Sequence, residues 1–200
     1  ADGLGNVYLT GETDSFTGTV IATPGAHQTT VSAGAVYLSF LVKFNSAGVR
    51  QWGTYYGDTE NGDIPWACTT DASNNVYIGG STTTTVSSVM ATPGAFQASL
   101  SAYADAFLVK FNPAGVRLWG TYYGDSSGDT QIYSLATDKN RNVYMAGQTS
   151  GTLAVLTTTG CHQPTFAGGA YDGFVARFDS LGNRSWGTYY GGNSWDYVFC

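Results

Sequence analysis

The sequence has little charge of either sign, and basic charge is the scarcest. Its 8 lysines and arginines stand against 14 aspartates and glutamates, which gives a formal net charge of −6, and charged residues make up 11% of the chain. Soluble domains average about 25% charged residues. A chain this poor in basic residues lacks the surface that attracts nucleic acids and anionic membranes. We therefore expect no nucleic-acid partner.

Long hydrophobic runs are also absent. No apolar stretch approaches the roughly 18 residues that a helix needs to span a bilayer. The first residues, ADGLGNVYLTG, contain neither the basic nor the apolar part of a secretory signal. We therefore expect no membrane insertion. This start fits either a mature chain or a section of a longer polypeptide.

One hexapeptide organises the sequence. WGTYYG occurs three times at intervals of 67 residues, beginning at Trp52, Trp119 and Trp186. A second motif, NVYLTG, NVYIGG or NVYMAG, begins at Asn6, Asn75 and Asn142. A third, TPGAxQ, begins at Thr23 and Thr92 and degrades in the last repeat. Such a period indicates a repeat protein.

Each repeat predicts four short strands. The apolar segments are rich in Val, Tyr, Phe, Trp and Thr and are bounded by Gly, Asn or Asp, which favours strands over helices. In the central repeat we expect strands near Trp66–Thr70, Asn75–Thr82, Asp105–Asn112 and Val116–Gly124. The TPGAxQ motif lies in the long connection between the second and third strands, which we expect to run over one face of the sheet.

Repeated units of four antiparallel strands without helices indicate a β-propeller, in which each sheet is one blade. The segments NVYLTG, DAFLVKFN, TYYGD and TPGAFQ resemble the bacterial SBBP beta-propeller repeat family. This resemblance implies blade architecture, often in large surface or secreted proteins, and it implies no set of catalytic residues.

The ends of the chain fall at informative points of the repeat. Asp2 aligns with Asp71, so nearly all of the first strand of the first unit is missing, whereas the last residues begin a new first strand. We therefore predict one repeat array with three blade equivalents per chain, the first blade being split between the termini. The units are approximately 1–62, 63–128 and 129–195, and 196–200 begins the strand that completes a next or partner blade.

Three blades are too few for a ring, because propellers use roughly four to eight. The chain then either assembles head to tail with a second copy, as a closed ring or a filament, or is a segment of a longer array. An open strand edge can be completed by another chain through main-chain hydrogen bonds. The predicted assembly interface consists of Asn6, Val7, Tyr8, Trp195, Tyr197, Val198, Phe199 and Cys200.

Histidine and cysteine are too few for the common catalytic and metal sites. Two histidines, His27 and His162, and no HExxH pattern support neither a zinc site nor a Ser-His-Asp triad. Phe96 fills their slot in the central repeat, so we interpret the slot as aromatic packing. The 3 cysteines leave at least one free or paired between chains if the protein is secreted, and they are Cys68, Cys161 and Cys200.

Recurring charged residues favour structural roles. Loop aspartates beside Gly and Asn could offer oxygen ligands to calcium, but they lack the EF-hand spacing and its closing Glu. We favour turn formation for these residues, which are Asp58, Asp63, Asp125, Asp129 and Asp196. A cation recurs in the third strand at Lys43, Lys110 and Arg177, and we expect it to pair with a carboxylate, Asp105 and Asp172 being the candidates.

These observations give two functional hypotheses. The first is a non-enzymatic, extracellular structural propeller that assembles head to tail by strand completion. The second is a glycan- or protein-binding propeller module of a cell-surface protein. Under either hypothesis we expect no catalytic residues, no cofactor and no metal.

Overall fold

The computed structural model describes residues 1–16, 20–31, 37–58, 62–152 and 154–199. Within these ranges the chain is all-β, with three antiparallel sheets whose strands follow one another in chain order. Two short helical turns, α1 (Ser87–Met90) and a 3-10 turn at Ala154–Leu156, lie in the long connections of the second and third units. The sequence, read as free of helices, did not predict these turns.

The first sheet has three strands and the other two have four each. The strands of the first sheet are β1 (Val7–Thr13), β2 (Leu38–Phe44) and β3 (Arg50–Tyr56). Those of the second are β4 (Ile64–Thr70), β5 (Val76–Thr82), β6 (Asp105–Phe111) and β7 (Arg117–Tyr123). Those of the third are β8 (Thr130–Thr137), β9 (Val143–Thr149), β10 (Asp172–Phe178) and β11 (Arg184–Tyr190).

An aspartate organises the hairpin between the first and second strands of a unit. Asp71 accepts hydrogen bonds at Oδ1 from the backbone N–H groups of Ser73 and Asn75, at 2.9 and 3.0 Å. Asn74 has a φ of 60°, which Asn tolerates better than most residues. Burial alone would raise the pKa of Asp71, but hydrogen bonds from Asn75 and Lys110 lower it overall. Asp2 and Asp138 form the same turn in the other units.

The hydrophobic core lies between the sheets. One cluster joins the first sheet, through Leu41 and Tyr56, to Ile78 and Phe107 of the second. The other joins the second sheet to the third through Trp119, Tyr123, Ile132, Phe174 and Phe178, among others. Sheets packed face to face in this way are the arrangement of propeller blades.

The first and last aromatic residues of WGTYYG join each sheet to the next. Trp52 donates its Nε1–H to the Pro113 carbonyl at 3.0 Å, and Trp119 does the same to Ser180 at 3.1 Å. The hydroxyl groups of the final tyrosines donate across the same interfaces, from Tyr56 to Met90 O at 2.8 Å and from Tyr123 to Leu156 O at 2.7 Å. The motif therefore supplies contacts between adjacent sheets.

The TPGAxQ motif lies along the outermost strand, not over a face of the sheet as expected. Thr92 donates its backbone N–H to Gly120 O at 3.0 Å, and Tyr122 donates to Gln97 O at 3.1 Å. The first and third units repeat both bonds at the equivalent residues. A side chain at Gly120 would collide with the Met90 carbonyl oxygen, so this close approach requires glycine. The motif covers an edge that would otherwise be free to pair with another chain.

The buried cation of the second sheet has a different partner from the one expected. Lys110 Nζ lies 3.1 Å from Asp71 Oδ2, and both side chains are at most 4% exposed. It also donates to Ser180 O at 3.1 Å in the third sheet. The prediction of Asp105 as partner was wrong, because Asp105 lies five residues away on the same strand, roughly 16 Å at strand spacing. In the third sheet Arg177 contacts the Tyr144 ring at 5.9 Å.

Candidate assembly surfaces

The first and third sheets each turn one face away from the second sheet. We call the outer face of the first sheet the front face; its residues are Val7, Leu9, Phe40, Val42 and Phe44. We call the outer face of the third sheet the rear face; its residues are Tyr144, Val175, Arg177, Trp186 and Tyr190. The equivalents of both sets form the cores between the sheets inside the chain.

The front face exposes side chains whose equivalents are buried elsewhere. Val7 and Leu9 of β1 are 49% and 53% exposed. Their equivalents in β5, Val76 and Ile78, are 0% exposed because they pack against the first sheet. The apolar pattern of β1 is therefore that of an interior strand.

The rear face shows the same contrast. Tyr190 is 64% exposed, whereas Tyr56 and Tyr123, its equivalents, are 0% exposed. Trp186 makes no indole hydrogen bond within the described ranges, unlike Trp52 and Trp119. Trp186 and Tyr190 therefore occupy the positions that make inter-sheet contacts in the other units, but no sheet of the described chain packs against them.

The inner edge of the first sheet is open as well. β1 pairs with β2 on one side, and no strand of the described chain pairs with its other side, whereas β5 and β9 are paired on both sides. Cys68 of β4 approaches this edge and donates its thiol to Tyr8 O at 3.8 Å. Burial raises the pKa of this thiol, so it is held as the neutral donor.

The C-terminal segment lies against the third sheet without forming a strand. The Asp196 N–H donates to Tyr171 O at 2.9 Å, and Val198 lies beside Gly173, on the same side of the sheet as the rear face. Tyr197 and Phe199 stack with ring centroids 6.2 Å apart, and Phe199 lies 6.2 Å from Tyr133. Trp195, Tyr197 and Phe199 are 62%, 46% and 76% exposed.

Comparison with known proteins agrees with this architecture. Residues 118–153, which contain β8, β9 and all of β7 except its first residue, match the SBBP family, described as a beta-propeller repeat. The chain carries an SBBP beta-propeller repeat. It is also 28% identical over 168 residues to an uncharacterized WD repeat-containing protein of Acanthamoeba polyphaga mimivirus, covering 79% of this chain. The chain spans only about 12% of the length of that relative.

The structure places some predicted interface residues differently from others. Val7, Trp195, Tyr197 and Phe199 are exposed at the two open ends. Val198 packs beside Gly173 of its own chain, and the side chains of Asn6 and Tyr8 are engaged in contacts inside the chain.

Asn6 and Tyr8 direct their side chains inward. Asn6 donates its Nδ2–H to Asp2 Oδ2 at 2.8 Å, and the Tyr8 ring, in a side chain 7% exposed, meets Trp52 at 6.1 Å. They can therefore contribute to an interface through the backbone only. Cys200 lies outside the described residues.

The prediction from sequence missed Tyr190, Trp186, Phe40 and Phe44. The signal was present, because Trp186 and Tyr190 belong to the third WGTYYG motif and align with Trp52 and Tyr56 of the first. Only the observed contacts of the first two motifs show that this motif faces the following blade.

The acidic loop residues are held by donors of the protein itself. Asp63 accepts from Thr82 Oγ1, from Thr84 Oγ1 at 2.9 Å and from Asp58 N at 2.9 Å, and burial raises its pKa. No group of three or more His, Cys, Asp or Glu side chains able to hold a metal ion was found in the described part of the chain. These contacts are those of structured turns.

Asp63 also explains an irregularity between the repeats. Leu38 stands in the first unit where Asp105 and Asp172 stand in the others. The Asp63 carboxylate lies against Gly57 just as the Asp105 carboxylate lies against the equivalent Gly124. A residue from the following loop thus supplies the missing carboxylate.

The histidine slot packs aromatic rings. His27 lies 6.0 Å from Tyr56 and 5.6 Å from Phe111, and burial, with the nearby positive charge of Arg117, lowers its pKa to about 4. Phe96 occupies the same position between the second and third sheets. His162 stacks on Tyr190 at 5.8 Å on the open side of the third sheet. No helix within the described ranges has the length and apolar composition of a membrane span.

Proposed function

We propose that this propeller module is a non-enzymatic, extracellular structural element that joins other units head to tail. In this arrangement the rear face of one unit packs on the front face of the next, and the partner is a second copy or a continuation of the same repeat. The exposure of Tyr190, set against full burial of Tyr56 and Tyr123, is the observation that carries the proposal.

The two open faces are the two halves of an interface that the chain already contains twice. Within the chain, Tyr56 and Tyr123 donate to the carbonyls of Met90 and Leu156, whose equivalent in the first unit is the Ile21 carbonyl. If the same hydrogen bond forms across a junction, Tyr190 donates to the Ile21 carbonyl of a second copy. Complementary surfaces of this head-to-tail kind generate rings or filaments, depending on whether the rotation closes. Two copies would supply six sheets, within the roughly four to eight of known propellers.

The open edge of β1 supports the same arrangement. In the complete sheets a first strand pairs along all of β9 and along β5 from Val76 to Ser81. The C-terminal segment of a neighbouring copy would supply part of that strand to β1 and would remove an edge that otherwise invites uncontrolled pairing. Each large apolar side chain that becomes fully buried contributes roughly 1.5–3 kcal/mol, so half-exposed residues such as Val7 and Leu9 would contribute about half of that.

Light scattering coupled to size exclusion tests the proposal. We expect the chain to elute with a mass above the 21.1 kDa of a monomer, increasing with concentration. Leu9→Glu should reduce the mass to that of the monomer, because it places a charge in the proposed interface. Val116→Glu, at a 56% exposed turn of the second unit, is the control and should leave assembly intact. A stable monomer at all concentrations would refute assembly between copies of this chain.

A repeated cleft favours a second candidate, the glycan- or protein-binding module. A cleft of about 560 Å³ between the second and third sheets is lined by Trp119, the Thr92–Ala95 segment and the Ser180–Gly182 turn. A cleft of about 420 Å³ at Trp52 has the same construction between the first and second sheets. Indole rings beside backbone and hydroxyl groups are suited to stacking with a sugar and bonding to its hydroxyls.

Titration with mono- and oligosaccharides, followed by tryptophan fluorescence, tests this candidate. Binding that is lost in Trp119→Phe and retained in Trp186→Phe would place the ligand in the larger cleft. An unchanged fluorescence spectrum across a glycan panel, together with no captured protein ligand, would reject it.

A further inference from the structure

A row of aromatic rings runs across the innermost strands. β4 and β8 each contain a bulge, where Trp66 and Tyr133 stand out of register with the neighbouring strand. The two rings contact each other at 5.7 Å, and Tyr133 contacts Phe199 at 6.2 Å. Both distances fall within the range of favourable aromatic pairs. Trp66, Tyr133 and Phe199 therefore form one continuous row.

Phe199 occupies the position in this row that belongs to the innermost strand of a following sheet. The Asp196 carboxylate accepts from Gly192 N at 2.8 Å, just as the Asp63 carboxylate accepts from Asp58 N at 2.9 Å at the start of β4. Phe199 follows Asp196 by three residues, as Trp66 follows Asp63. The C-terminal segment thus begins with the loop contacts of β4 and reaches the aromatic position of its bulge.

The first sheet has a matching feature in Gly11. The equivalent glycines, Gly80 and Gly147, lie where a side chain would collide with the carbonyl oxygens of Ile64 and Gln131 in the bulged strands. Among the described residues a Cβ on Gly11 would meet only the Phe40 ring, at 3.0 Å, because none of the described strands lies beside β1 on that side. Gly11 has the small size that a bulged strand requires, and no strand of the described chain uses it.

We propose that the C-terminal segment of one copy pairs with β1 of a second copy at Gly11 and places Phe199 against Trp66 of that copy. This inference rests on the proposed head-to-tail assembly and specifies its register. Repeating the pairing of Ile64 with Ser81 and of Pro65 with Gly80 puts Tyr197 opposite Glu12 and Val198 opposite Gly11. Trp66 and Phe199, 51% and 76% exposed, are the two open ends of the row that would then meet.

Disulfide cross-linking tests the register. In a background of Cys68→Ala, Cys161→Ser and Cys200→Ser, the pair Glu12→Cys and Tyr197→Cys should give covalent oligomers under mild oxidation, because paired residues bring their Cα atoms within disulfide range. The pair Thr13→Cys and Tyr197→Cys, shifted by one residue, is the matched control and should cross-link at least about fivefold less.

Two further variants separate the register from the assembly itself. Gly11→Val should abolish the cross-link and weaken assembly, while unfolding of the dilute monomer confirms that the variant folds. Phe199→Ala should weaken assembly about tenfold, and Phe199→Tyr should restore it.

Each outcome bears on a different claim. Assembly seen by light scattering without the cross-link, or with stronger cross-linking of the shifted pair, would overturn the register and leave head-to-tail assembly standing. A covalent monomer would overturn pairing between copies, and the absence of any assembly would overturn the proposed function. If Gly11→Val assembles and cross-links as well as the parent chain, the role of Gly11 is refuted.

Discussion

Removing a single hydroxyl group at equivalent tyrosines should have very different effects along the chain. Tyr123 is 0% exposed and donates to Leu156 O at 2.7 Å, so Tyr123→Phe leaves a buried carbonyl without this donor. An unsatisfied buried polar group costs about 1–3 kcal/mol. Tyr190 is 64% exposed, and Tyr190→Phe should change the free energy of unfolding of the monomer by less than about 0.5 kcal/mol.

Urea denaturation of both variants measures the difference, at a protein concentration where light scattering shows monomers. We expect a lower midpoint for Tyr123→Phe and an unchanged midpoint for Tyr190→Phe. At higher concentration Tyr190→Phe should weaken assembly more than Tyr123→Phe does, because only Tyr190 lies at the proposed junction. Equal destabilisation of the monomer by the two variants would refute the inference that Tyr190, unlike Tyr123, makes no contact with a following sheet in the monomer.

Three further changes test the interior. Asp71→Asn removes the anionic partner of buried Lys110 and should destabilise the fold by about 3 kcal/mol in urea denaturation; a change below about 0.5 kcal/mol, a tenth of a typical domain's stability, would contradict a buried ion pair. Burial raises the pKa of Asp63 above its usual 3.8, so its contribution is fully present below that value and is lost as pH rises through the folded pKa. The stability of Asp63→Asn relative to the parent should therefore increase from acidic to neutral pH, and a constant difference would contradict the shift. Gly120→Ala should lower thermal stability because its Cβ would collide with a carbonyl, whereas Gly192→Ala, with nothing within 4 Å, should not; equal effects would contradict the packing.

The sequence predicted the antiparallel sheets because its repeats are visible at the level of motifs. The predicted strand Asp105–Asn112 differs from β6 by one residue at its end. The start of β4 was missed by two residues, since Pro65 and the bulge at Trp66 interrupt the alternation on which strand prediction depends. Local patterns therefore gave the strands, but not the irregularities within them.

Contacts between residues far apart in the sequence were harder to predict. The pairing of Lys110 with Asp71 depends on the approach of a hairpin turn to a strand of the same sheet, which spacing does not reveal. The inward direction of Tyr8 depends on which face of β1 meets the second sheet, and alternation alone leaves the two faces equivalent. Such assignments require knowledge of which sheet packs on which.

The TPGAxQ motif runs along β3, β7 and β11 and so limits the surfaces through which the proposed assembly could extend. The outermost strand of each unit already uses main-chain groups in hydrogen bonds to its own loop. Lateral pairing with strands of other chains is therefore hindered in all three units. In the proposed assembly, further subunits can then add only through the front face, the rear face and the open edge of β1. Polymerisation by this chain would therefore be one-dimensional, and substitutions that loosen the motif would open a path to disordered, sideways aggregation.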